Sequence, residues 1–149
     1  MRTLLSIDPG RCTGWAYWVD SSLTACGVTE VGANPCPAVS TLLNGCQALI
    51  VELPQVYRAA ESKGDPNDLI QVAVEVGRWV ERGTVCGSRV RLVRPAEWKG
   101  QTPKEVHHRR VQRALGAQEL ARLPDLPKTK AHNMMDAIGL GLWQLERMR

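Results

Sequence analysis

Three acids stand out because each sits in or against an apolar run. Asp8 ends Leu4-Leu5-Ser6-Ile7 and precedes Pro9-Gly10, Glu52 ends Ala48-Leu49-Ile50-Val51, and Asp136 lies within the helix-like stretch 131–146. A buried carboxylate is expensive unless it is paired, hydrogen-bonded or bound to a cation. Three of them from separate core-like segments point to one shared divalent-cation site. Each also has a plain structural reading. Asp8 can cap the Pro9-Gly10 turn, Glu52 can be a solvated strand end before Leu53-Pro54, and Asp136 can pair with Lys128 or Lys130.

The segments that must position these acids are legible. Residues 3–8, 14–19 and 24–31 read as strands separated by turn residues, which makes an antiparallel meander. A short helix over 37–45 follows, then a strand at 48–53 that Pro54 stops. That strand is almost wholly apolar, as a central strand covered on both faces should be. Asn67 reads as the cap of a helix over 68–82, with Leu69, Val72, Val76 and Val80 at helical spacing. Arg89-Val90-Arg91-Leu92-Val93 alternates as a fifth strand, and Pro103 opens a helix over 104–115. The proline-rich stretch 123–127 is a linker before the closing helix over 129–147.

The 149 residues suit one domain spanning 1–149, large enough to bury a core. Neither a signal peptide nor a membrane span is expected, so the reading is cytosolic. Five cysteines, at 12, 26, 36, 46 and 86, form no CxxC pair and read as free thiols. The net charge of +4 and pI near 9.0 permit a polyanionic partner. The cations concentrate at Lys99, Lys104, His107, His108, Arg109, Arg110 and Arg113, followed by Lys128 and Lys130. Such a run is either a solvated helix face or a phosphate-neutralising surface.

Strands, then alternating helices and strands, imply a mixed five-stranded α/β sheet, three strands antiparallel and two parallel, with helices on both faces. Ile7-Asp8-Pro9-Gly10 with Thr13-Gly14-Trp15-Ala16, Val51-Glu52, and His132-Asn133 before Asp136-Ala137 resemble the ribonuclease H-like superfamily, most closely the RuvC-type Holliday junction resolvases. The resemblance covers nearly the whole chain. It implies a crossover junction endonuclease that uses Mg²⁺ or Mn²⁺, with Asp8 bridging two ions and Glu52 and Asp136 each binding one. It also implies a homodimer acting on branched DNA in a bacterial or phage-infected cytoplasm, with residues 68–82 at the interface.

Within the resemblance, Lys104 aligns with a lysine near the scissile phosphate. Tyr57 takes the place of an aromatic that stacks on an unpaired base. The family's usual Asp or His three residues before the last acid is here Asn133, with His132 one residue earlier. Both share a helix face with Asp136, so either is a candidate fourth ligand, and His132 is also a candidate general base. The alternatives are a nuclease for RNA–DNA hybrids or another nucleic acid, and a branched-DNA-binding protein without catalysis.

Overall fold

The structure, a computed structural model, describes residues 1–30, 37–56 and 65–148. Its elements are β1 (Thr3–Asp8), β2 (Cys12–Val19), β3 (Ser22–Glu30), α1 (Pro37–Asn44), β4 (Ala48–Glu52), α2 (Pro66–Val85), β5 (Arg89–Val93), α3 (Pro95–Trp98), α4 (Lys104–Ala114), α5 (Ala117–Leu120) and α6 (Lys128–Gln144). Sheet order is β3-β2-β1-β4-β5, antiparallel across β3-β2-β1 and parallel across β1-β4-β5. The expected mixed sheet is therefore present.

β1 is central and its alternation separates two apolar layers. Leu5 and Ile7 join Leu49, Val51, Val39, Leu43, Val76 and Trp79 beneath α1 and α2. Leu4 joins Trp18, Ile50, Val93, Val111, Ile138 and Leu142 beneath α4 and α6. Small and polar groups let α6 lie directly on the sheet. Ser6 donates its hydroxyl to the Ala137 carbonyl at 2.8 Å, and Trp18 Nε1 donates to Ser6 Oγ at 3.1 Å. A Cβ on Gly141 would come within 2.2 Å of Trp18 Nε1, so the close helix-sheet contact depends on glycine there.

Three sequence expectations change. The cap of α2 is Asp65, whose Oδ1 accepts the Asn67 amide at 2.9 Å, and the helix runs from Pro66 to Val85 rather than 68–82. The third strand starts at Ser22, because Asp20 and Ser21 carry positive φ angles of 47° and 69° and turn the chain at once. The short helices α3 and α5 were not anticipated; a single turn gives too little periodicity to register. Among the described residues, no helix is long and apolar enough to cross a membrane.

The C-terminal end is tied down by one ion pair. Arg147 reaches both oxygens of Glu119 at 2.7 and 2.8 Å and also donates to the carbonyls of Ser21 and Ala114. Glu119 further accepts the amides of Leu23 and Gly116 at 2.7 and 2.8 Å. The Arg147 hydrogen bonds, aided by these amides, pull the Glu119 pKa down to about 2, against the opposing effect of burial. Glu119→Ala should therefore destabilise the fold by about 3 kcal/mol at neutral pH, the low end for breaking a buried pair, because Arg147 is partly exposed. A depressed carboxyl stabilises above its unfolded value, near 4.5, and that contribution is lost as pH falls toward about 2. Urea unfolding of the two proteins checks this: the gap should be full at pH 7 and shrink steadily below pH 4.5.

Candidate metal centre

The register of the sheet assembles the acids. Ile7 pairs with Val51 across the parallel β1–β4 ladder, so Asp8 and Glu52 leave adjacent strands at the same end. On the other side Asp8 pairs with Gly14. The Gly14 Cα lies against the backbone of Asn133, where a Cβ would stand 1.9 Å from the carbonyl oxygen. That contact seats α6 at the strand ends, and Asp136 follows Asn133 by just under one turn.

The connection after β5 completes the cluster. α3 turns Trp98 and Lys99 inward, so that Trp98 Nε1 donates to Glu52 Oε2 at 2.8 Å. Lys99 Nζ lies 3.1 Å from Glu52 Oε2 and 3.7 Å from Asp136 Oδ2. From α4, His108 Nε2 lies 3.2 Å from Asp136 Oδ1 and His107 Nε2 lies 3.7 Å from the same oxygen.

The electrostatics express crowding of like charge. Burial, then the charges of Glu52 and Asp136, hold the Asp8 carboxyl well above its usual range, against the pull of Lys99 and Lys104. Glu52 is also raised, by burial above all, with Lys99 and Trp98 opposing. Burial acts upward on Asp136 too, but His108, Lys99 and His107 together outweigh it and leave the group below its ordinary value. Burial works against the Lys99 ammonium, yet Glu52, Asp136 and Asp8 raise its pKa overall. Burial drives His107 down to about 4, which keeps its imidazole neutral near pH 7.

Among the described residues, no three His, Cys, Asp or Glu side chains lie close enough to hold a metal ion as they stand. The donor chemistry nevertheless fits one. Three carboxylates supply hard oxygens, burial and then their repulsion raise Asp8, and the Lys99 ammonium bridges two of them as a positive charge in the cluster. A divalent cation would relieve the same repulsion with more charge.

The other residues singled out in the sequence divide. Lys104 is exposed on the first turn of α4, and its charge is felt by Asp8. Arg109, Arg110 and Arg113 are exposed on α4, and Lys128 is exposed at the start of α6. Lys130 pairs with Glu30 at 3.0 Å. His107 turns inward and is buried, so it offers no cation to a phosphate. His132 points its Nδ1 at the Lys128 carbonyl, 3.3 Å away on its own helix. The Asn133 backbone packs on Gly14, and Tyr57 lies outside the described residues.

Two contributors escaped sequence reasoning: Trp98 as a donor to Glu52, and the α4 histidines as neighbours of Asp136. A partial signal existed for the second. His107, Val111 and Leu115 recur every four residues, the spacing of one buried helix face.

The antiparallel-then-parallel five-stranded sheet with helices on both faces is a ribonuclease H-like fold. Within that class, the fold is of the RuvC resolvase type. The structure is similar to that of Thermus thermophilus RuvC in complex with a Holliday junction substrate, with a TM-score of 0.64 and 18% identity over 97% of this chain and 93% of that one. A second Thermus thermophilus RuvC structure gives a TM-score of 0.58 and 16% identity over 99% of this chain and 98% of the other. No protein-family model matches the chain, and no curated protein matches it significantly.

Proposed function

We propose that this protein is a divalent-metal-dependent endonuclease that nicks branched DNA, with the four-way Holliday junction as its preferred substrate. The observation that carries the reading is the convergence of Asp8, Glu52 and Asp136 around Lys99 at one end of a RuvC-type sheet. Asp8, Glu52 and Asp136 would hold Mg²⁺ or Mn²⁺. Bound there, such ions supply an activated water and a counter-charge for the leaving oxygen.

The protein's own groups do the rest. Trp98 fixes the Glu52 carboxylate through its indole N–H. Lys104, exposed on α4 with its charge felt by Asp8, would stabilise charge developing on a phosphate. The exposed arginines of α4 extend that basic surface along the backbone of a bound strand. Paired cuts in a two-fold substrate call for two sites, hence a homodimer. α2 offers a face for it: Val76 and Trp79 are buried against the sheet, while Ile70 and Val74 remain 60% and 47% exposed.

Arg110→Ala/Arg113→Ala should weaken junction binding at every sequence alike and reduce the salt slope of log K by about 2, roughly one per lost phosphate contact. Fluorescence anisotropy across a salt series measures it. The functional reading itself is tested with junction, flap, linear duplex and RNA–DNA hybrid substrates in Mg²⁺ and in Mn²⁺. Preferential junction nicking supports it. Cleavage of hybrids alone would make the protein a hybrid nuclease, and tight junction binding with no cleavage in either metal would make it a binding protein.

A further inference from the structure

α4 brings two imidazoles to a single oxygen of Asp136. His108 Nε2 is 3.2 Å from Oδ1, on a side chain that is 20% exposed and so open to the site. His107 Nε2 is 3.7 Å from the same oxygen, and that nitrogen is buried with no hydrogen-bond partner among the described residues. Trp98 packs edge-on against the His107 ring, with centroids 5.0 Å apart. On α6, Gly139 makes room for it, since a Cβ there would come within 2.7 Å of Nε2. The first turns of α4 are thus fitted closely to the helix that carries Asp136. His132, by contrast, is turned toward its own helix backbone.

The His108 separation suits shared coordination. Two donor atoms, each about 2.1 Å from one octahedral ion and at right angles, lie roughly 3.0 Å apart. As a hydrogen bond to a carboxylate, 3.2 Å is at the long limit. Donor type then bears on metal choice, because Mg²⁺ prefers oxygen whereas imidazole suits borderline transition metals. Building on the reading of the acid cluster as a cation site, we propose that His108 is a direct ligand, through Nε2, of the ion held by Asp136. The nitrogen donor of this site thus comes from α4 rather than α6, and it biases the site toward Mn²⁺ over Mg²⁺.

Pulsed electron paramagnetic resonance of Mn²⁺ bound to the full chain tests this without reference to cleavage. The wild-type protein should show coupling of Mn²⁺ to a histidine nitrogen. His108→Ala and the bulkier His108→Gln should lose it, and His132→Ala should retain it. Calorimetric titration should show Mn²⁺ affinity falling at least about tenfold in both His108 variants, with Mg²⁺ affinity falling much less. Nitrogen coupling lost in His132→Ala but kept in the His108 variants overturns the proposal, as does Mn²⁺ bound through oxygen alone in the wild type. The latter result leaves the metal-nuclease reading intact. Failure of the wild type to bind Mn²⁺ or Mg²⁺ at all overturns both. The wild-type spectrum decides the nitrogen question even if a variant fails to fold.

Discussion

Asp8→Asn should reduce junction nicking on the order of 10³-fold or more and, in metal-free buffer at neutral pH, raise the melting temperature. The first effect follows if Asp8 helps hold the cations, since their electrostatic contribution is several kcal/mol and each 1.36 kcal/mol is a factor of ten. The second follows from burial of Asp8, reinforced by the charges of Glu52 and Asp136. A carboxyl whose folded-state pKa lies above its unfolded value, near 3.8, favours folding at low pH. That contribution is lost as pH rises through the raised value. At neutral pH, above the unfolded value, Asp8 therefore opposes folding, and asparagine removes the opposition. The gain should be about 2–4 °C per kcal/mol relieved, and it should vanish below about pH 3.8, where wild-type Asp8 is protonated. Saturating Mg²⁺ should shrink or reverse it, because the ion stabilises the form that binds it. Thermal melts at pH 3.5 and 7.5, with and without Mg²⁺, check each part. An asparagine variant that is less stable at neutral pH without metal would show that the acids are not in conflict.

Gly14→Ala has the second-largest expected effect, and it acts without removing any reacting group. Gly14 is the register partner of Asp8 across β1–β2. A methyl there would stand 1.9 Å from the Asn133 carbonyl oxygen, 2.2 Å from its carbon and 2.7 Å from the Met134 nitrogen. Helix backbone cannot rotate out of the way as a side chain can, so α6 must shift and carry Asp136 with it. Overpacking typically costs about 1–3 kcal/mol, and contact with rigid backbone places this case at the upper end or beyond. A displacement near 1 Å lowers a positioned reaction about 10²-fold. The variant should therefore melt well below wild type and nick slowly even at temperatures where circular dichroism shows it folded. Gly45→Ala is the control, since nothing lies within 4 Å of its new methyl. Equal behaviour of the two variants would contradict the close approach of α6.

The sequence made the acids visible for a local reason. Asp8 and Glu52 each end an apolar strand, and Asp136 interrupts a helical apolar pattern, so each looks out of place within a few residues. The mixed antiparallel-then-parallel character of the sheet follows from the same patterning. What surrounds the acids is set by tertiary approach. Lys99 reads as one more member of a basic run, and only the turn of α3 takes it inward to Glu52 and Asp136. His107 and His108 are adjacent in sequence, yet one is buried and unpartnered while the other faces the site. The family resemblance drew attention to His132 and Asn133, one turn before Asp136. The fold places His108, 28 residues earlier, against that carboxylate instead. The cap of α2 failed more simply: Asp65 and Asn67 are both good capping residues two positions apart, and the pattern alone does not choose between them.

The proposed activity is paired cutting of branched DNA at the Asp8, Glu52 and Asp136 cluster. It is tested most directly by mapping cuts in a four-way junction labelled at the 5′ end of each strand in turn, with Mg²⁺ or Mn²⁺ present. Nicks are expected at symmetry-related positions in two opposing strands, lost in Asp8→Asn while junction binding persists. Intact strands in both metals despite a bound junction, or nicks unchanged in Asp8→Asn, would contradict it.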